Sequence, residues 1–531
     1  MKDRLIKFIP SLHHEHESYS WWVLLSVMIG TFMAVLDATI VNVGLPKMMA
    51  IFGTSVDKIE WVLTAYLLVF AVMLPSSGWV ADHFGYKRTY FMGMFFFTLG
   101  SFLCSLAWDE NALIVFRIVQ GAGAGFLMPV GLAIVTKEFP PEKRGMAVGF
   151  WGIASAASVS LGPLVGGYLI DTFSWHAIFD VNIPVGIIGL LAIWIIQQEH
   201  RTEDTRSFDI IGFISMSAFL ISLLLGLADG NASWNTGGWT SHFILICFGI
   251  ASVSFVIFMI TEFSVEHPLL DLRLLRIRNF GISNIMLFLF GLALFGNSFL
   301  VPLYLQTSLD YTPFQSGLVF LPMGILQAMM SPLSGWLADK INPKIPITIG
   351  TLLFASTFYM FHFLSLTSEH AQIMLPLYLR GIGVGLIFSP ISAVALMSIP
   401  KVKMAQASGL FNTIRQIGGS FGVAMFGSLL TRRIIYHSGN FGQAINQNSE
   451  IFKHTVSTMK NYIRYSSGGS SSDLILKSKL LIVRNAIAQA FVQGINDDFF
   501  LASVLTLILL IPMLFLKISK NKDYEKIESM D

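Results

Sequence analysis

The chain of 531 residues is 54% hydrophobic and only 12% charged. A soluble domain carries about 25% charged residues, because it must cover itself with polar surface; this composition, with a mean hydropathy of +0.67, demands a lipid-facing exterior instead. A net charge of +2 gives no footing for nucleic acid, and two cysteines in apolar runs, Cys104 and Cys247, build neither a disulfide framework nor a metal site, so no metal and no cofactor is expected.

Residues 1–20 read as a polar cytoplasmic tail. They lack the apolar core and small-residue cleavage site of a secretory signal, and His13, His14 and His16 read as solvated rather than metal-binding. A bilayer span needs about 20 apolar residues. Fourteen such stretches follow, near 21–46, 59–79, 89–107, 111–136, 145–170, 177–197, 209–228, 242–263, 280–305, 313–337, 345–366, 372–397, 405–430 and 498–516. The expected fold class is an all-α polytopic membrane protein. With the N-terminus inside, the tails and short loops on that side hold twenty-one Lys and Arg, against only Lys47 and Lys58 in the short loops opposite. Positive charge stays on the cytoplasmic side, so both termini are expected in the cytoplasm and the protein in the cytoplasmic membrane.

An internal repeat sets the organisation. Pro75-Ser76-Ser77-Gly78-Trp79-Val80-Ala81-Asp82, at the end of the second span, returns 257 residues later as Pro332-Leu333-Ser334-Gly335-Trp336-Leu337-Ala338-Asp339. A weaker echo pairs Gln120-Gly121-Ala122-Gly123-Ala124-Gly125 with Arg380-Gly381-Ile382-Gly383-Val384-Gly385. Two six-helix halves are therefore expected, at 21–197 and 280–516. Two extra central helices and a linker fill 198–279, and residues 517–531 form a second cytoplasmic tail. An outward loop, 431–497, interrupts the second half; its stretch Asp473 to Gln493 suits an amphipathic helix and a hairpin of the protein's own. Parallel repeats of this kind bind substrate between the halves near the midplane.

Several residues carry candidate chemistry. Asp37, in the first span, lies well inside hydrocarbon, at a depth comparable to Arg117 in the fourth. Ionisable residues there are costly and usually functional. The two are expected to pair, either as a static tie or as a titratable site, with Asn42 beside them as a further candidate for proton or substrate. The first repeat continues as Asp82-His83-Phe84-Gly85-Tyr86-Lys87-Arg88. Gly78 permits close helix contact, Gly85 accepts a left-handed turn, and Asp82 can oppose a helix N-terminus of the other half, where negative charge is favoured. Such a contact makes and breaks with conformation, as a latch. The copy at Gly335 and Asp339 loses the second glycine and the paired basic residues, so its latch is expected to be weaker. In the fifth span Ser158, Gly162 and Gly166, with Pro163 and Gly167, form a small-residue stripe for close packing. Arg380 and Arg415 lie inside the twelfth and thirteenth spans, free to meet substrate or to satisfy backbone carbonyls. Apart from Asp339, no intramembrane acid is evident in the second half.

The loop from Gly78 to Arg88 resembles the signature loop of the major facilitator superfamily. The fifth-span stripe resembles that superfamily's "antiporter" signature, with Ser158 where its central glycine stands. Together with Leu36 to Pro46, Trp175 to Pro184, Pro268 to Arg273 and Ser408 to Gly419, these motifs look like the EmrB/QacA-type drug:proton antiporters over roughly residues 20–430. The resemblance implies proton-coupled efflux of small, mostly hydrophobic or cationic compounds, with a periplasmic adaptor and an outer-membrane channel as partners in a Gram-negative cell. The alternatives are an importer, a symporter or an exporter of one metabolite. A membrane-embedded enzyme or receptor is the remote alternative, because the spans hold no His/Asp/Glu or Ser/His cluster of catalytic type. No enzymatic activity is expected.

Overall fold

The computed structural model describes residues 18–517, apart from 55, 60, 201–206, 231–233, 267, 299, 401–402, 445–449 and 468–470. The histidine cluster and both cytoplasmic tails as read from sequence lie almost wholly outside the described residues. Hydrocarbon offers no partner to a backbone N–H or C=O, so an apolar chain there must satisfy both internally, and helices do this within one segment. Every regular element among the described residues is accordingly a helix. The long ones are α1 (Tyr19–Phe52), α2 (Trp61–Phe84), α3 (Tyr86–Ser105), α4 (Glu110–Glu138), α5 (Arg144–Thr172), α6 (Asn182–Ile196) and α7 (Ile210–Asp229). They continue with α8 (His242–Ser264), α9 (Arg278–Gly296), α10 (Pro313–Lys340), α11 (Lys344–Phe361), α12 (His370–Met397), α13 (Met404–Ala444) and α14 (Ser471–Ile508). By length and apolarity alone, 11 segments among the described residues can cross a membrane. The helices α3, α5 and α13 fall outside that set.

Three spans among the described residues are broken. A short helix, Ala177–Asp180, precedes α6, α9 stops at Gly296 before resuming as Leu300–Ser308, and α14 stops at Ile508 before a last short helix, Leu510–Leu514. The expected outward loop 431–497 is largely helical: α13 runs on to Ala444, Glu450–Ser467 forms a separate helix, and α14 begins at Ser471. Asp498 consequently lies deep in a continuous helix and is fully buried. It corrects the expectation that Asp339 is the second half's sole acid.

The repeat read from sequence reappears as a repeat of packing. In the first half α1 packs on α5, α2 on α4, and α3 on both α4 and α6. In the second half α9 packs on α13, α10 on α12, and α11 on both α12 and α14. The inserted pair, α7 and α8, packs on itself and reaches the rest through α2 and α13. Ile246, Val253 and Ile260 on α8 are 60–62% exposed, as lipid-facing residues are.

The halves meet along α5 against α10 and α2 against α13, two contacts related by the repeat. At the end of the bundle where the described residues begin and stop, here called the terminus-bearing end, both are backbone on backbone. A Cβ at Gly335 would collide with the carbonyl oxygen of Gly145, and one at Gly78 would lie 2.9 Å from the backbone nitrogen of Gln406. Deeper in, Trp151 of α5 stacks on Phe388 of α12, with centroids 6.1 Å apart, and donates from Nε1 to Thr31 Oγ1 of α1 at 2.8 Å. The expected small-residue stripe divides by face. Ser158, Gly162 and Gly166 turn towards Phe32, Thr39 and Ile40 of α1, within the first half, whereas Gly167 lies nearest Phe314 of α10.

Gly335→Leu should insert and pack within its own half yet fail to close the terminus-bearing end. Forcing a side chain into such a gap costs about 1–3 kcal/mol. Ser331, 4% exposed on α10, reports the gap. With Cys104 and Cys247 replaced by serine, labelling of Ser331→Cys by a membrane-impermeant maleimide should rise in Gly335→Leu. Equal labelling in both backgrounds would show that the closure does not depend on this contact.

Candidate functional site

Five helices converge on Asp37. Its helix α1 brings it against α4, which carries Arg117 and Gln120 one turn apart on one face, as an i, i+3 pair must be. Arg117 Nη1 donates to Asp37 Oδ2 in a close ion pair and to Gln120 Oε1 at 2.7 Å. Gln120 Nε2 donates to Asp37 Oδ1 at 2.8 Å, and Asn182 Nδ2, from the start of α6, donates to the same oxygen at 3.1 Å. Ser101 Oγ of α3 accepts from both amides, at 3.2 and 3.0 Å, while donating to the Phe179 carbonyl. From α2, Val62 accepts from Arg117 Nε at 3.0 Å, and the Tyr66 ring lies 4.0 Å beneath the guanidinium. Asp37, Arg117, Gln120 and Ser101 are all fully buried.

The pairing expected from depth is therefore present, within a larger network. Three donors on one carboxyl group suit its ionised form. Arg117 Nη2 has no partner among the described residues. Asn42 follows on α1, and Pro163 on α5, but their side chains lie outside the described residues.

Of the residues expected to form latches, Gly78, Gly335 and Asp339 sit where the halves touch. Asp339, at the end of α10, accepts from the backbone N–H of Gly145 at 3.1 Å and of Met146 at 3.0 Å, the first turn of α5 in the opposite half. Ser389 of α12 donates to the Gly145 carbonyl at 2.7 Å. The second copy, expected to be the weaker, thus makes the full contact of a carboxylate with a helix N-terminus. In the first copy Asp82 is fully buried and accepts from the Tyr86 hydroxyl at 2.8 Å. Gly85 adopts φ +99°, the left-handed turn its position calls for.

Lys87 and Arg88 face their own half. Lys87 Nζ donates to the Trp194 and Gln197 carbonyls at the end of α6, and the Lys87 and Arg88 N–H groups donate to Glu199 at 3.1 and 3.2 Å. Burial pushes the Glu199 carboxyl above its usual range, against the pull of those two N–H groups. The basic pair ties α3 to α6 rather than one half to the other, and its absence from the second copy leaves the Asp339 contact in place.

In the second half Arg380 is buried and Arg415 half-buried. Arg380 Nη2 reaches Ser298 Oγ at 3.4 Å, at the break in α9, and Arg415 lies over the Phe388 ring at 5.3 Å. Two further buried acids escaped the sequence reading. Glu262 of α8 accepts from the Leu270 N–H at 3.2 Å, and Asp498 of α14 has neither oxygen hydrogen-bonded among the described residues. Gln120, Asn182 and Ser101 were likewise unassigned; the i, i+3 spacing of Arg117 and Gln120 was the one signal available.

A family model described as Major Facilitator Superfamily matches residues 27–423. The chain is 31% identical over 499 residues to the multidrug export protein EmrB of Haemophilus influenzae, covering 93% of this chain and 95% of that one. It is 30% identical over 501 residues to the probable multidrug resistance protein EmrY of Escherichia coli, covering 94% and 95%. Among solved structures, the proton:xylose symporter XylE bound to 6-bromo-6-deoxy-D-glucose matches with a TM-score of 0.61 at 13% identity, over 97% of this chain and 99% of that one. That last likeness is one of fold.

Gln120→Leu keeps most of the side-chain volume while removing an acceptor from Arg117 and a donor from Asp37. Leaving buried charged partners short of a hydrogen bond costs about 1–3 kcal/mol, so the melting temperature of the purified protein should fall. A melting temperature equal to wild type would mean that the amide is not part of the network.

Proposed function

The chain belongs to the Major Facilitator Superfamily, and from that premise we propose that it exports small, mostly hydrophobic organic compounds across the cytoplasmic membrane in exchange for protons. The observation that carries the reading is the Asp37 network: one buried carboxylate held by an arginine and two amides inside the first half. Relatives named for multidrug export, matched over nearly the whole chain, support the direction and breadth of transport.

In this reading the chain crosses the membrane fourteen times with both termini in the cytoplasm, as the Lys and Arg balance of the loops favours. The end closed by Gly145 on Gly335 and by Gly78 on Gln406 is then cytoplasmic. Asp82 and Asp339 act as its latches, and 21–197 and 280–516 are the two moving halves. Substrate enters between the halves when this end parts and leaves when it closes. A proton arriving from outside neutralises Asp37, releases one of its donors and loosens the tie between α1 and α4. Each inward proton supplies about 2.3 kcal/mol per 100 mV of membrane potential. In a cell with an outer membrane, the helical segment 431–497 stands on the face from which a periplasmic adaptor and an outer-membrane channel would extend the path.

Asp37→Asn keeps shape while removing the titratable group. In proteoliposomes under an imposed pH gradient, uptake by the folded variant should fall to the rate of protein-free liposomes. Equilibrium binding of a neutral substrate in detergent should survive. Some loss of stability accompanies this, because Arg117 is left as an unpaired buried charge. Gradient-driven transport at the wild-type rate would reduce Asp37 to half of a structural pair.

A further inference from the structure

The inserted pair α7 and α8 meets α13 on a narrow seat. Leu223, Leu227 and Ala251 pack on Ala424, and Trp239, between the two inserted helices, donates from Nε1 to Ser428 Oγ at 3.1 Å. Beside this seat the surface falls into two depressions of about 380 and 520 Å³. Leu429, Arg432 and Leu501 line both, so the two form one groove along α13, first against α7 and then against α14. Each is within the roughly 300–1,000 Å³ of small-ligand sites.

The groove changes chemistry along its length. Leu227, Phe421 and Met425 line the first part, and Arg433, Tyr436 and Asp497 the second. The helix α13 starts at Met404, where Lys403 pairs with Asp271 in the charged belt of one membrane face. Phe421 is 17 residues further on, about 26 Å at 1.5 Å per residue, and Arg432 is 28 residues on, about 42 Å. Bilayer hydrocarbon is about 30 Å thick, and the full width with headgroups is about 40–45 Å. The apolar part therefore lies at acyl-chain depth and the arginines at the level of the opposite headgroups. Trp239 and Tyr436, of the residue types that favour this boundary, flank the transition.

The charges at that level leave a surplus. Arg433 Nε pairs with Asp497 at 2.9 Å, and His437 Nε2 lies 2.8 Å from the same carboxylate oxygen. Arg432 is exposed and forms no ion pair among the described residues. Asp498 is fully buried and does not line the groove. Two guanidinium groups against one lining carboxylate leave the polar mouth positive. An arginine fork matches phosphate oxygens bidentately, and a phosphate at this depth is that of a membrane lipid.

We propose that an anionic phospholipid of the leaflet opposite the terminus-bearing end occupies this groove. Its phosphate lies on Arg432 and Arg433, and one acyl chain lies along Leu227, Phe421 and Met425. The lipid fills the space beside the Trp239–Ser428 contact and so fastens the inserted pair to the second half. A phosphatidylcholine offers the same phosphate but carries its own cation into a positive mouth, so it binds less well. The inference does not depend on what the protein transports.

Native mass spectrometry of the delipidated full-length protein tests it, with dioleoyl phosphatidylglycerol and dioleoyl phosphatidylcholine as probes that share their acyl chains. Wild type should bind the phosphatidylglycerol at least about tenfold more tightly, and that lipid should raise its melting temperature more. Arg432→Gln, at an exposed position with no ion pair to break, should bring the two affinities to within about threefold. Arg432→Lys, which keeps the charge, should retain most of the preference. Arg484→Gln makes the same charge change at an exposed position of α14 outside the groove and should leave the preference intact. Equal affinity of wild type for the two lipids, or a preference undiminished in Arg432→Gln, overturns the proposal. A preference that falls as far in Arg484→Gln also overturns it, because the charge of the whole segment is then the cause. A protein dimer that Arg432→Gln abolishes, with lipid binding unchanged, overturns it in favour of a second copy of the chain.

Discussion

Where α5 meets α10 the two halves of this protein touch backbone to backbone, and in the export reading any change of shape must part that contact. Gly145 and Gly335 leave no room for a side chain between them. Asp339 closes the seam by accepting two N–H groups from the first turn of α5. The seam is close, and beside it Trp151 of α5 stacks on Phe388 of α12. A similar approach recurs where Gly78 meets Gln406 between α2 and α13. In the export reading these two contacts, related by the repeat, are where the halves part at one end of the bundle.

Within the first half Asp37 and Arg117 are both fully buried, and removing both from solvent is offset only by good geometry and satisfied hydrogen bonds. Gln120, Asn182, Ser101 and the Val62 carbonyl complete that geometry. These groups come from α2, α3, α4 and α6, so a change in the charge of Asp37 is felt by most of the half at once. In the export reading that network is the coupling element. The second half, where Arg380 and Arg415 have no acidic partner among the described residues, has no counterpart to it.

Much of this was legible before any coordinates. The repeat 257 residues apart placed the two halves, and the matched depths of Asp37 and Arg117 placed the ion pair. Depth is readable because rise per residue is fixed. Azimuth across helices is not, and so Gln120, Asn182 and Ser101, on three different helices, could not be gathered around the carboxylate from sequence. The second latch was expected to be weaker because that copy lacks the paired basic residues. Lys87 and Arg88 looked like part of the device, but they serve the carbonyls of α6 and Glu199, and Asp339 needs neither. The segment 431–497 was read as an outward loop because its polar residues broke the apolar runs. A helix that leaves the bilayer can continue in water on an amphipathic pattern, and α13 and α14 do so.

The account depends on the terminus-bearing end opening and closing in response to the charge at Asp37. Spin labels at Glu142, ahead of α5, and at Ile341, just past α10, straddle the joint at exposed positions. Electron–electron distance measurements on the protein in lipid nanodiscs, with Cys104 and Cys247 replaced by serine, read its width directly. The account predicts, at one fixed pH, a short and a long population in wild type whose ratio differs in Asp37→Asn. A single distance in both proteins, or the same ratio of the two populations in both, would contradict it.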